Sequence, residues 1–282
     1  MSLAKRMHEL FGRRRSGLRA RASFAAQLAF TLLIAAFLIV PAVLSMLAGV
    51  TANYFRGVRS GLTLQWLLQV WDLYADTILR SFLIAIGTLA VTLIVGLPAA
   101  YAMHRRGGRL SRLMEEIITL PLAIPGLAIA LALLLTYGDF SSFRRSSLFI
   151  LVGHVVFTLP FMVRSIMAVL AAVNVNLLDE GAASLGASPW RRFRDVIAPN
   201  VKPGILAGSL MVVTLSLGEF NLTWMLHTPL TKTLPVGLAD SYASMRLEVA
   251  SAYTLVFFLM IIPLLVGMQM MAGRGGLTGG RR

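Results

Sequence analysis

The interval Asn174-Val175-Asn176-Leu177-Leu178-Asp179-Glu180-Gly181-Ala182-Ala183-Ser184-Leu185-Gly186-Ala187-Ser188-Pro189-Trp190-Arg191-Arg192-Phe193-Arg194-Asp195-Val196-Ile197-Ala198-Pro199 decides how this chain is read. It is a polar interval between two apolar ones. Asn176 can cap a helix start. Asp179 and Glu180 then fall in the first turn, where negative charge suits the positive end of the helix dipole. Gly181, Ala182, Ala183 and Ser184 give that helix a slim surface. Gly186 suits a helix end or a close backbone approach. Ser188-Pro189 starts a second short segment with an Arg-rich face. A short, slim helix of this kind is either an ordinary interfacial helix or a docking element that a partner accepts in a groove.

On both sides of this loop the chain turns apolar. Of its 282 residues, 57% are hydrophobic and 13% charged. A soluble domain carries about 25% charged residues, so a soluble globular protein is excluded. Six stretches reach the roughly 20 apolar residues of a spanning helix. They run over about Phe24–Val50, Ser81–Met103, Leu113–Tyr137, Ser147–Val163, Gly204–Leu226 and Val249–Met271. None alternates as a barrel strand does. The expected fold is therefore an all-α integral membrane protein with six transmembrane helices. A basic cytoplasmic tail is expected over 1–23 and the membrane domain over 24–272, with its cytoplasmic loop at 174–200. A Gly-rich disordered cytoplasmic tail is expected over 273–282. The apolar run from Phe24 exceeds the 7–15 residues of a signal-peptide core, so the first helix is expected to stay uncleaved.

The formal net charge is +14, from 26 Lys and Arg against 12 Asp and Glu. Six spans put both termini on one side. That side holds Lys5, Arg6, Arg13, Arg14, Arg15, Arg19, Arg21, Arg105, Arg106, Arg109, Arg112, Arg164, Arg191, Arg192, Arg194, Lys202, Arg274, Arg281 and Arg282. The other side holds Arg56, Arg59, Arg80, Arg144, Arg145, Lys232 and Arg246. Positive charge gathers in cytoplasmic loops, so both termini are expected in the cytoplasm. The charge is topology, and nucleic acid is not an expected partner. The lipid bilayer is, with the N-terminal tail near anionic lipid.

Glu219 is the only acidic residue well inside a span. Exposing it to lipid costs roughly 2.5–3.5 kcal/mol on insertion scales, so it must face protein or water. Ser209, Ser216, Glu219 and Thr223 fall within about 80° on a helical wheel. This stripe reads as a pore or subunit contact, or as buried helix-to-helix hydrogen bonding. His154 in the fourth span reads either as a proton or substrate contact or as a packing histidine. Pro121 and Pro125-Gly126 kink the third span. Trp66, Trp71 and Tyr74 suggest a helix lying at the membrane surface in the loop Thr51–Arg80. Pro229, Pro235 and Gly237 suggest an ordered re-entrant or turn segment in the loop His227–Glu248.

Catalytic chemistry is not expected. The three Lys (Lys5, Lys202, Lys232) never follow Gly, so there is no phosphate-binding G-x-x-x-x-G-K-[ST] loop. The four His (His8, His104, His154, His227) are scattered, and there is no Cys, so no metal site is expected. No span carries a Gly-x-Ser-x-Gly.

Glu180-Gly181-Ala182, then Gly186, Val196 and Pro199, resemble the EAA motif of ABC-transporter permeases. That motif is Glu-Ala-Ala, three residues, Gly, nine residues, Ile or Val, one residue, Leu, Pro. Gly181 replaces the first Ala and Ala198 replaces the Leu. The resemblance covers about Tyr74–Met271 and implies a permease subunit of a type I (MetI-like) ABC importer in the bacterial inner membrane. It implies that the loop is a coupling helix seated in a cleft of a cytoplasmic ATPase dimer. Asp179, Glu180, Gly181, Ala182, Gly186, Pro189 and Pro199 would be its coupling residues. ATP and Mg would be hydrolysed by that partner, with no cofactor held by this chain. A second permease subunit, identical or homologous, and a periplasmic substrate-binding protein would complete the importer.

The stretch Gly218–Pro229, with Thr233–Leu238, resembles permeases of 2-aminoethylphosphonate importers, which makes that zwitterion the expected cargo. Polyamine, ferric iron, thiamine or a sulfate-type anion are the alternative cargoes. A proton-coupled secondary transporter using Glu219 and His154 is the alternative mechanism. Such a carrier usually shows internal repeats, and residues 24–137 and 147–271 show none.

Overall fold

The computed structural model describes the backbone of residues 3–276 and the side chains of residues 23–270. Its α-helices are α1 (Leu3–Ala48), α2 (Gln65–Arg106), α3 (Gly108–Thr119), α4 (Gly126–Tyr137), α5 (Ser141–Arg144), α6 (Ser147–Ala172) and α7 (Val175–Ser184). There follow α8 (Pro189–Arg191), α9 (Ala198–Asn200), α10 (Lys202–Gly218), α11 (Asn221–Leu226), α12 (Leu234–Ala243) and α13 (Leu247–Gly276). A π-helical turn, Arg192–Ile197, joins α8 to α9. Among the described residues the only β pairing is an isolated bridge between Thr51 and Leu62. The basic segment is helical from Leu3, but the side chains of residues 1–22 lie outside the described residues. So do residues 277–282 of the expected C-terminal tail.

Among the described residues, four helices are long and apolar enough to cross a bilayer alone: Ser23–Ala48 of α1, α2, α6, and Leu247–Met270 of α13. Two bent pairs bring the number to as many as six. The continuous third span expected over Leu113–Tyr137 is not one rod. It is α3, continued by the 3-10 turn Leu120–Ala123, and α4, bent by 106° at Ile124 and Pro125. One proline explains this. Pro125 drives Ile124 into an extended conformation (φ −102°, ψ 127°), and a helix cannot continue through that residue. The fifth span departs similarly. The Pro189–Asn200 segment meets α10 at 70°, and α10 stops at Gly218 rather than running on to Leu226.

The expected surface helix around Trp66, Trp71 and Tyr74 is instead the first part of α2. Nothing between Gln65 and Ser81 breaks a helix, so α2 runs for 42 residues, roughly 63 Å at 1.5 Å per residue. Its early turns pack on protein. Trp66 Nε1 donates to the Thr51 carbonyl at 2.9 Å, and Tyr74 meets Tyr253 edge to face. At its other end His104, Arg105 and Arg106 complement the negative pole of the helix.

The core lies where α2, α6 and α10 meet. Ala100, Met103, Met162, Val163, Ile166, Leu170 and Val212 are buried there in one cluster. Close approach of α10 to α6 depends on Gly204 and Gly208, spaced as G-x-x-x-G. A Cβ on Gly204 would lie 2.7 Å from the Ser165 carbonyl oxygen. One on Gly208 would lie 2.7 Å from Met162 Sδ. Helices in lipid associate through such small-residue contacts because burying apolar surface away from lipid gains nothing.

Candidate functional site

The loop between α6 and α10 is built on α7. Its cap is Asn174, not Asn176: the Asn174 carboxamide oxygen accepts from Leu177 N–H at 3.4 Å. Asp179 and Glu180 therefore sit beyond the first turn, and the dipole argument for them lapses. Gly186 ends the helix as expected. It adopts φ +77°, Gly186 N–H donates to the Ala183 carbonyl, and Ala187 N–H donates to the Ala182 carbonyl. That pair of bonds needs a left-handed residue, which favours glycine. Ser188 Oγ then accepts from Arg191 N–H, with Pro189 at the first helical position of α8.

The outer surface of α7 carries one exposed charge, Glu180, among apolar neighbours, and Arg191, Arg194 and Asp195 are exposed farther along the loop. Leu177, Leu185 and Trp190 are all exposed, Leu185 by 89%. Glu180, Pro189 and Pro199 are exposed, and Gly181 has open space where a Cβ would stand. The inner surface is seated in the core. Val175, Ile197 and Val201 are buried in the same cluster as Ala100 and Met103 of α2.

Asp179 does not share Glu180's exposure, because successive residues on a helix point about 100° apart. It is buried, and its Oδ2 accepts from Arg192 Nη1 at 3.0 Å. Arg105 Nη2 lies 3.5 Å from the same oxygen, and Tyr101 Oη donates to Oδ1 at 3.3 Å. Asp179 thus engages this chain rather than an outside partner. Sequence reading missed its partners because Arg105 and Tyr101 lie more than seventy residues away and are brought to it only by packing.

The polar stripe is reorganised. Ser209 and Ser216 lie on α10, Glu219 in the break, and Thr223 on α11. His154 on α6 joins two of them. Its Nδ1 lies 2.8 Å from Ser216 Oγ and its Nε2 2.8 Å from Thr223 Oγ1. A neutral imidazole satisfies both hydroxyls, one nitrogen donating and the other accepting. All three side chains are buried, as is Ser209. His154 is a staple that ties α6 to both halves of the broken segment. Replacing it with Leu should cost about 1–3 kcal/mol, since it deletes two bonds and strands two hydroxyls. Thermal unfolding in detergent checks this, and an unchanged midpoint contradicts it.

Glu219 is half-buried at the break and accepts from Leu222 N–H at 2.8 Å. The carboxylate therefore satisfies the start of α11, which is why the chain can stop one helix and begin another here. Gly126, the first residue of α4, is close by: a Cβ there would stand 3.6 Å from Glu219 Oε1. The break before α4 and the break between α10 and α11 are thus side by side. At the far end of α11, Arg144 Nη1 donates to the Leu226 carbonyl at 2.7 Å and stacks on Phe149. The expected re-entrant or turn segment is the helix α12, held to α2. Leu234 N–H donates to Ser81 Oγ at 2.6 Å, and Arg80 Nη1 donates to the Lys232 carbonyl at 3.1 Å.

The family model for the "binding-protein-dependent transport system inner membrane component" matches residues 92–274. The chain belongs to that family. The match includes the whole loop and both halves of the broken fifth segment. Among its relatives is the putative 2-aminoethylphosphonate transport system permease protein PhnV of Salmonella typhimurium. It is 26% identical over 254 residues, 89% of this chain and 96% of that one. The molybdenum transport system permease protein ModB of Azotobacter vinelandii is 27% identical over 194 residues, 64% of this chain and 84% of that one. The fold is shared with two solved transporters. The inward-facing methionine ABC transporter MetNI aligns with a TM-score of 0.60 at 15% identity, over 76% of this chain and 99% of that one. A bacterial ABC importer of the acidic polysaccharide alginate aligns at 0.67 and 14% identity, over 91% of this chain and 96% of that one. The chain is thus an ABC-importer permease subunit with a MetI-like, all-α membrane fold.

Proposed function

We propose that this permease forms half of the pore of an ATP-driven inner-membrane importer of 2-aminoethylphosphonate and is driven through α7. The observation that carries the drive is the two-sided loop: Glu180, Leu185 and Trp190 face outward while Val175 and Ile197 are locked into the core. Glu180 is the single exposed charge on α7 itself, and a short rigid helix of this kind suits a groove on a partner. In this reading the loop and both termini are cytoplasmic, and the partner is an ABC ATPase dimer that hydrolyses ATP with Mg. A second permease subunit completes the pore. A periplasmic binding protein delivers cargo to the opposite end, where α12 and the Arg144 turn are ordered.

The cargo follows from the likeness to PhnV, which extends over 96% of that protein. The likeness to the molybdenum permease favours a second reading, a small oxyanion, over a shorter part of this chain. Uptake into vesicles holding the permease, its ATPase and internal ATP separates the two. With the binding protein outside, 2-aminoethylphosphonate should accumulate and molybdate should not. The opposite result reverses the cargo assignment.

Glu219 has a definite expectation in this account. Its carboxylate is engaged with its own backbone, and Gln can accept the same bond. Glu219→Gln should therefore keep uptake near the unmodified rate. Loss of uptake with normal membrane levels would show that the charge itself meets the cargo.

A further inference from the structure

Asp179 has no place in the docking surface, yet it is the most heavily bonded residue of the loop. Its carboxylate takes Arg192 from the π-helical turn at 3.0 Å, Arg105 from the end of α2 at 3.5 Å, and Tyr101 one turn earlier at 3.3 Å. One side chain thus joins three elements. The apolar seat under α7 holds the helix down, but apolar contact is non-directional and does not fix its position along α2. The carboxylate does. Sliding α7 past α2 would leave a buried charge short of partners, which is strongly disfavoured.

The N-terminal half of α2 is fastened as well. Ser81 Oγ accepts from Leu234 N–H, and Arg80 holds the Lys232 carbonyl. Lys232 in turn pairs with Asp240 of α12. From Ser81 to Arg105 the helix spans roughly 36 Å at 1.5 Å per residue, comparable with the ~30 Å hydrocarbon layer. One continuous helix therefore connects the docking loop with the α12 segment on the opposite side.

We propose that Asp179 is a positioning residue for energy coupling: it latches α7 to α2, and α2 carries the displacement to α12. This rests on the reading of α7 as the ATPase dock. It separates two jobs that adjacent residues perform, Glu180 meeting the partner and Asp179 passing on what the partner does.

The complex of the full permease with its ATPase carries the test. The chain has no Cys, so single thiols can be introduced without background. One variant carries Ala183→Cys, on the exposed part of α7, and another carries Ser244→Cys, just beyond α12. The labelling rate of each thiol by a soluble maleimide is measured with and without a non-hydrolysable ATP analogue and Mg. Both rates should change in an otherwise unmodified chain, by about fivefold or more. With Asp179→Asn the response at position 183 should persist and that at 244 should vanish. Asp179→Glu should restore it, which a general loss of folding would not. A loss at both positions, or at neither, overturns the latch. If position 183 is silent without any Asp179 change, docking by α7 itself is wrong, and the latch falls with it.

Discussion

Glu180→Arg should leave the permease in the membrane at normal levels while uptake falls by about a hundredfold, because like charges brought together at an interface repel strongly. The folded chain gives little reason for the change to disturb it. Glu180 is exposed, and among the described residues it forms no ion pair. Its backbone carbonyl accepts from Ser184 Oγ, a bond that the side chain does not enter. The helix keeps its Asn174 cap and its Gly186 end. What changes is the sign of the one exposed charge between Leu177 and Leu185. The ATPase should then fail to co-purify, and the isolated ATPase should hydrolyse ATP as before. Uptake at the unmodified rate by this variant would remove α7 from the coupling pathway.

One added methyl group should have opposite consequences at two glycines. At Gly204 it would meet the Ser165 carbonyl oxygen at 2.7 Å and Ile166 Cα at 3.1 Å, both backbone atoms of α6. Neither can rotate away, so α10 must move off α6. The overpacking cost is about 1–3 kcal/mol. Gly204→Ala should therefore lower the unfolding midpoint and the yield. At Gly181 nothing lies within 4 Å of the new atom, and the residue is helical with no positive φ. Gly181→Ala should stabilise α7 by about 0.5–1 kcal/mol through backbone entropy alone. Thermal melts of both variants in one detergent decide it. A destabilised Gly181→Ala would mean that a slim surface there is needed even without the partner. An unchanged Gly204→Ala would mean that the α6–α10 contact is looser than the geometry allows.

The apolar runs made the membrane helices legible, since a bilayer demands long uninterrupted apolar segments whatever their neighbours. The docking loop was legible because its signals are local: Gly186 at a helix end and Pro189 after Ser188 need only nearby residues. The cap was misplaced by two residues because Asn174 and Asn176 are chemically equivalent, and only backbone geometry chooses between them. The broken fifth segment was missed for a different reason. Gly218-Glu219-Phe220 contains no proline, and the break depends on a carboxylate that turns back to its own backbone. His154 could be read from sequence as either a packing residue or a proton or substrate contact, and its partners lie 62 and 69 residues away and follow from packing alone. The Gly204-x-x-x-Gly208 spacing went unread, because which of the many glycines meets another helix is decided only by packing. Asp179 shows the limit of motif reading: it adjoins the motif, yet its side chain belongs to the interior.

The central claim is that this permease moves cargo only when ATP is consumed by a partner at α7 and a binding protein supplies the other end. Sealed vesicles containing the permease and its ATPase, with 2-aminoethylphosphonate and the binding protein outside, test it most directly. The account predicts uptake that requires internal ATP and the external binding protein together, and that a proton gradient alone does not support. Accumulation driven by a proton gradient without ATP would contradict it, and would return Glu219 and His154 to the role of a proton relay.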